Sequence, residues 1–266
     1  FDFVLHPDRL EHPRKWKEPK RVFVDSMSDL FYTPRDFMVE RGIWSGTAED
    51  FLRRVWDAML ETDRHTYQVL TKRPKPALRL INKLGLEMAK HIWIGVSVED
   101  QRWADERIPQ LLAIPAPVRF LSVEPMLEAV NLEPWLGSIC TVCKQSTFTC
   151  ACDFAEVAED CGYLDVDEKR EVLNWEDAVD RATSECTRRG IQWVITGGES
   201  GPGHRPFDID WVRAIRDQCA AAGAAYFHKQ HGGLHPGGDA AIDGKIHHQY
   251  PGDLAEPAQA KRGALL

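Results

Sequence analysis

The sequence has no apolar run approaching the roughly 18 residues that a membrane-spanning helix needs, so no membrane role is expected of it. It opens on neither a basic segment nor a short apolar signal core, which places the expected setting in a cytoplasm. An excess of positive charge is also missing. Lys and Arg number 33 against 41 Asp and Glu, a net charge of −8 that argues against nonspecific wrapping of nucleic acid and leaves room only for a local basic patch. Cysteine is absent from the first 139 residues, and six of the seven cysteines fall between Cys140 and Cys186. The one glycine-rich turn that follows a strand-like run, Thr196 to Gly203, contains neither G-x-G-x-x-G nor a P-loop lysine, so those phosphate-binding families do not fit.

What is present is a repeated form. Six short runs rich in Val, Ile and aromatics each end on polar or charged residues. Arg21 to Asp25 opens into Ser26, Met27, Ser28 and Asp29, and Thr66 to Leu70 into Thr71, Lys72, Arg73 and Pro74. His91 to Gly95 opens into Ser97 and Glu99, Val118 to Leu121 into Ser122 and Glu124, Ile191 to Ile195 into the glycine-rich turn, and Ala224 to Phe227 into His228 to His231. Runs of this length, apolar throughout, are expected of strands covered on both faces. Helical periodicity fills the gaps: Thr47 is placed to cap a helix carrying Phe51, Leu52, Val55, Trp56 and Met59. Further helices are predicted over Ala77–Met88, Gln101–Ile114 and Asp208–Ala222, the last stopped by Gly223.

Six strand-then-helix units predict an α/β fold with a parallel sheet, either doubly wound or curled into a partial (β/α) barrel of about six strands. In both cases ligands bind at the carboxyl ends of the strands, where the polar residues gather. The expected organisation is a first barrel part over 1–136, a cysteine-rich insertion with its return helix over 137–190, a last barrel part over 191–233 and an irregular cover over 234–266. No strand is expected between Gly137 and Gly190, and a helix is predicted from Trp175 to Arg188. Phe1 to Leu5 reads as a further short strand.

The candidate site residues are those at the strand mouths. A lysine between an apolar strand and Arg73-Pro74 is badly placed as a free surface charge. Lys72 therefore reads either as a point-charge partner for a carboxylate or phosphate, or as an ion pair with a neighbouring strand-end acid. Ser97, Glu99 and Glu124 follow on the next two mouths. Ser26, Ser28 and Asp29 suit a ligand's amine or ribose, or simply cap the turn. Glu199 and Ser200 are the polar contacts of the glycine-rich turn. The charged connection from His6 to Arg21 reads as a solvated loop, with nucleic-acid contact by Arg14, Lys15 and Lys17 around Trp16 as the alternative. Within the insertion, Cys140, Cys143, Cys150 and Cys152 have the spacing C-x2-C-x6-C-x-C, which suggests a small zinc knuckle, with an iron-sulfur cluster or free thiols as alternatives. His247 and His248 are a further, weaker metal pair.

The segments Arg21–Phe31, Gln68–Pro74, Trp93–Glu99, Arg119–Met126, Trp193–Gly201 and Lys229-Gln230, in this order, resemble a family of bacteriophage and prophage proteins of unknown function. That family is in turn similar to the radical S-adenosylmethionine enzymes, with spore photoproduct lyase a relative. The resemblance covers about Phe3 to Gly233 apart from the insertion. It implies a partial barrel holding S-adenosylmethionine and a [4Fe-4S] cluster, a reductant protein as partner, and radical chemistry on a nucleic acid or nucleotide. By the same resemblance Lys72 and Ser97 contact the cofactor, and the three cluster cysteines are expected upstream of Phe1. Two other functions are set against it: a non-catalytic adaptor that binds nucleic acid or protein through its knuckle, and a metal-dependent hydrolase using the strand-mouth acids.

Overall fold

A parallel strand can reach its neighbour only through a crossover, and the helical segments supply these crossovers. The computed structural model describes residues 3–24, 28–40, 42–140, 187–235, 237 and 239–252. Six strands form one sheet, all parallel: β1 (Arg21–Val24), β2 (Thr66–Thr71), β3 (Ile92–Ser97), β4 (Arg119–Val123), β5 (Trp193–Gly197) and β6 (Ala225–Gln230). They lie side by side in chain order, without a switch point. Because such crossovers share one hand, this order puts the helices on one face and curls the sheet into a half-barrel. The doubly wound alternative is thereby set aside.

The strands run further into the polar residues than their apolar content suggests. Ser97 pairs with Ser122, and Val123 with Thr196, as rungs of the ladder. The helices are α1 (Ala48–Leu60), α2 (Pro74–Leu84), α3 (Gln101–Leu112) and α4 (Ile209–Ala222). Thr47 closes a capping box, its hydroxyl accepting from the Asp50 amide at 3.1 Å while Asp50 accepts from the Thr47 amide at 2.8 Å. α2 starts three residues before the predicted Ala77, since proline is well suited to the first helical turn, and stops at Leu84, short of the predicted Met88. α4 is capped by Asp208 and ends at Gly223, as its sequence predicts.

Alternation along each strand divides the core in two. Val69, Ile94, Val96, Leu121 and Val194 face the helices and join Leu52, Trp56, Ile81, Ile108 and Ile215 in the larger cluster. The concave inner face carries Trp93, Phe120, Trp193, Ile195, Ala225 and Phe227. Gly95 makes this aromatic layer feasible, because a Cβ at that position would stand 2.4 Å from the Phe120 ring.

The C-terminal segment is more than a loose cover. His228 donates its backbone amide to His247 O at 2.8 Å, and Gln249 donates its own to Tyr226 O at 3.0 Å, so the tail pairs along the exposed edge of β6. Tyr250 then turns onto Trp193, with ring centroids 5.3 Å apart, and the Arg21 guanidinium lies 3.6 Å over the same ring. Arg21 opens β1, so the tail bridges the two ends of the sheet at its amino-terminal side.

Three smaller features differ from the predictions. Ser138–Cys140 and Thr187–Arg189 form a two-stranded antiparallel ribbon where no strand was expected, so residues 187–188 are extended and not helical. The His6–Arg21 connection is mostly helical turns, and Arg14 is held by Glu11 and Glu61 instead of standing free for a phosphate. Val4–Leu5 is a strand, but its partner is Met38–Val39 and not the main sheet.

Candidate functional site

The carboxyl ends of β2 to β6 open on one mouth, and the ladder register decides which side chains share it. Ser97 and Ser122 stand opposite each other on β3 and β4, only 3% and 6% exposed. Neither hydroxyl has a protein hydrogen-bond partner among the described residues. Around them sit two ion-paired groups. Lys72 donates to Glu99 Oε1, while the buried Arg107 of α3 donates to Glu99 Oε2 at 2.9 Å and to the Ser97 carbonyl at 2.8 Å. Across the mouth, Lys229 Nζ donates to Glu124 Oε1 at 2.8 Å.

These pairs differ in their exposure. The Lys72 side chain is 58% exposed and that of Glu99 11%, so the ammonium remains available from solvent although it rests on a nearly buried carboxylate. Lys72 thus has the strand-end acid that the sequence offered as its structural partner, and it is also positioned at the mouth. Gly197 lies beside Glu124, where a Cβ would come within 3.0 Å of its carboxyl carbon. One step beyond, the loops after β5 and β6 are zipped together: Gly198 donates to Gln230 O and Gly201 to Gly233 O, both at 3.0 Å. Only glycine fits at 198, since a Cβ there would lie 2.1 Å from the Gly232 nitrogen.

The remaining sequence candidates have local work. Asp29 accepts from Thr71 Oγ1 at 2.9 Å, from the Lys72 amide at 3.0 Å and from the Phe31 amide at 3.1 Å, which ties the mouth of β1 to that of β2. Its carboxylate therefore caps and braces. Glu199 receives a bidentate pair from Arg205 at 2.8 and 3.0 Å as well as its backbone amide, and this guanidinium holds the carboxyl down to about 2. Ser28 is exposed, and Ser26 lies outside the described residues. Cys140 is described by its backbone alone, while Cys143, Cys150 and Cys152 lie outside the described residues. Among the described residues no group of three or more His, Cys, Asp or Glu is placed to hold a metal.

Three participants were not read from the sequence as site residues. Arg107 betrayed itself only as a charge on the otherwise apolar stripe of Ala104, Ile108 and Leu111. Ser122 required the register with Ser97, and Lys229 required its approach to Glu124 from a strand more than a hundred residues away. Behind β6, His228 is fully buried with Nδ1 bonded to Thr196 Oγ1 at 2.9 Å and Nε2 without a partner among the described residues. Burial, and then the nearby His231, His247 and His248, hold it neutral down to about 4.

A cavity of about 530 Å³ lies elsewhere, between the amino-terminal segment and α1, lined by groups such as Leu5, Leu10, Val22, Phe51 and Met59. Its lining is chiefly apolar with His6, Arg9, Ser28 and Asp29 among it, whereas Lys72, Glu99, Glu124 and Lys229 stand at the mouth. The molecule is thus an open α/β half-barrel with a polar mouth over an aromatic floor, and no described helix is long and apolar enough to cross a membrane. The chain belongs to the family described as "Protein of unknown function (DUF5131)", whose model matches residues 2–253. No curated protein and no solved structure matches it.

Proposed function

We propose that the mouth binds S-adenosylmethionine, in the manner of the radical S-adenosylmethionine enzymes that the strand-end motifs resemble, and that its substrate is a nucleic acid or nucleotide. The observation that carries this reading is the cross-strand pair Ser97 and Ser122, whose hydroxyls have no protein partner among the described residues, on strand ends next to that of Lys72, whose ammonium is open to solvent. Hydroxyls that make no bond within the protein keep their donor and acceptors for a polar ligand. An amino-acid head group offers complementary atoms: its carboxylate suits Lys72, and its ammonium suits the seryl oxygens and Glu124, whose side chain is 20% exposed.

When bound with a [4Fe-4S] cluster, this cofactor supplies a 5′-deoxyadenosyl radical. Among the described residues the one thiol on view is that of Cys219, which is buried on α4 and pushed up by that burial. It faces away from the mouth and is no cluster ligand. On this reading Lys72, Ser97, Ser122 and Glu124 hold the cofactor, and the three iron ligands are not among the described side chains.

Titration calorimetry of the protein with S-adenosylmethionine tests the reading. Binding that weakens on the order of ten-fold in Lys72→Met and in Ser97→Ala is expected for the loss of one charge-assisted and one neutral hydrogen bond. Absence of binding at millimolar ligand, or affinity in both variants equal to that of the parent protein, overturns it.

A further inference from the structure

The rim of the mouth carries a line of aromatic rings and cations. Tyr32, 46% exposed, follows β1, and the Arg73 guanidinium lies 4.4 Å from its ring centroid. Next to Arg73 is Lys72, which reaches Glu99, and Glu99 is held by Arg107. The Arg107 guanidinium in turn sits 3.9 Å from the ring centroid of Trp103, half-buried in the first turn of α3, with Arg102 at 5.0 Å from the same ring. The line crosses three adjacent strand ends, or roughly 10 Å of sheet.

Charge along this line is not balanced by its acids. Asp29 is occupied by Thr71, Lys72 and Phe31 amide or hydroxyl donors, Glu99 by two cations, and Asp100 by the amide of Trp103. Arg73, Lys75 and Arg102 have no ion pair among the described residues. Aromatic rings set beside cations that have no carboxylate partner are features by which proteins hold unpaired bases and their phosphates. A folded protein partner would not by itself call for this arrangement.

We propose that the rim binds a single-stranded nucleic acid, its bases stacked on Tyr32 and Trp103 and its phosphates met by Arg73, Lys75 and Arg102. The inference rests on the reading of the mouth given above and narrows its nucleic acid or nucleotide to a single strand. It is compatible with the net charge of −8, because the cations concern one edge of the molecule.

The test is fluorescence anisotropy with a labelled 12-nucleotide oligothymidylate at low salt, using Tyr32→Ala, Trp103→Ala and the double variant Arg73→Ala/Arg102→Ala. Each ring variant is expected to weaken binding by roughly ten-fold or more. The double arginine variant should flatten the dependence of log affinity on log salt by roughly 1.4, two phosphate contacts of a single strand. Absence of oligonucleotide binding by the parent protein overturns the proposal, as does affinity unchanged in both ring variants. Equal competition by poly-L-glutamate overturns it as well, since a surface that reads only anionic charge does not use its rings. Calorimetry with S-adenosylmethionine on the same preparation separates the two readings: a protein that binds the cofactor and not the oligonucleotide refutes this inference alone, and the reverse refutes only the cofactor.

Discussion

Removing Glu99 should damage the protein far more than removing the lysine that it pairs with. The Glu99 and Arg107 side chains are 11% and 8% exposed, so Glu99→Ala leaves a buried guanidinium with only the Ser97 carbonyl as acceptor. Stranding one member of a buried ion pair costs about 3–5 kcal/mol. Lys72, 58% exposed, is a surface charge on the other oxygen, and its loss should cost about 1 kcal/mol or less. Urea denaturation measures both. With a slope of about 2–3 kcal/mol/M the Glu99→Ala midpoint falls by about 1 M or more, while Lys72→Ala shifts it by about 0.5 M or less. Replacing the stranded cation as well, in Glu99→Ala/Arg107→Met, should recover at least half of the loss, because an apolar chain of similar length has no charge to desolvate. Equal costs for Glu99→Ala and Lys72→Ala, or a double variant no better than the single, would refute the division of Glu99 into a structural anchor and Lys72 into an accessible charge.

Two further outcomes follow from the other end of the sheet. His228 titrates at about 4 in the folded chain and near 6.5 unfolded, so the unfolded state takes up the proton first as pH falls. The protein should be stable above pH 6.5 and lose up to about 3 kcal/mol between there and pH 4. Denaturation at pH 7 and pH 5 should show this slope, and His228→Gln should reduce it; an unaltered slope counts against the buried neutral imidazole. Tyr250→Ala removes the ring between Trp193, Phe227 and Arg21 and should cost about 2 kcal/mol, with tryptophan emission shifting to the red as Trp193 meets water. Unchanged emission would mean that the tail does not cover the aromatic floor.

Much of the fold was legible because local signals agreed with it. Short apolar runs with polar ends became the six strands, and the helix after Thr47 formed with that residue as its cap. The site was legible only in part. Lys72, Ser97, Glu99 and Glu124 do gather at one mouth, since strand ends of a parallel sheet lie together whatever the register. Which of them are free depends on partners that sequence order conceals. Asp29 reads as a ligand group until Thr71 and the Lys72 amide are seen to occupy it, and Glu199 until Arg205 does. The histidines of the tail suggest a metal pair in sequence, yet His248 stacks on Phe227 at 4.3 Å and the His247 carbonyl completes the edge of β6. Tyr250 carried no signal at all, because its significance lies in meeting Arg21, which is 229 positions earlier by their numbers (250 − 21).

The bridge from Tyr250 to Arg21 spans the gap between first and last strands at the amino-terminal end of the sheet, opposite the polar mouth. A fully closed barrel admits only what can be lowered through its rim. A trough stoppered at its base can instead receive the middle of a long polymer laid across it from the side, with no free terminus to thread. For a guest made of many linked units, the incomplete cylinder is then an access route and not an unfinished fold.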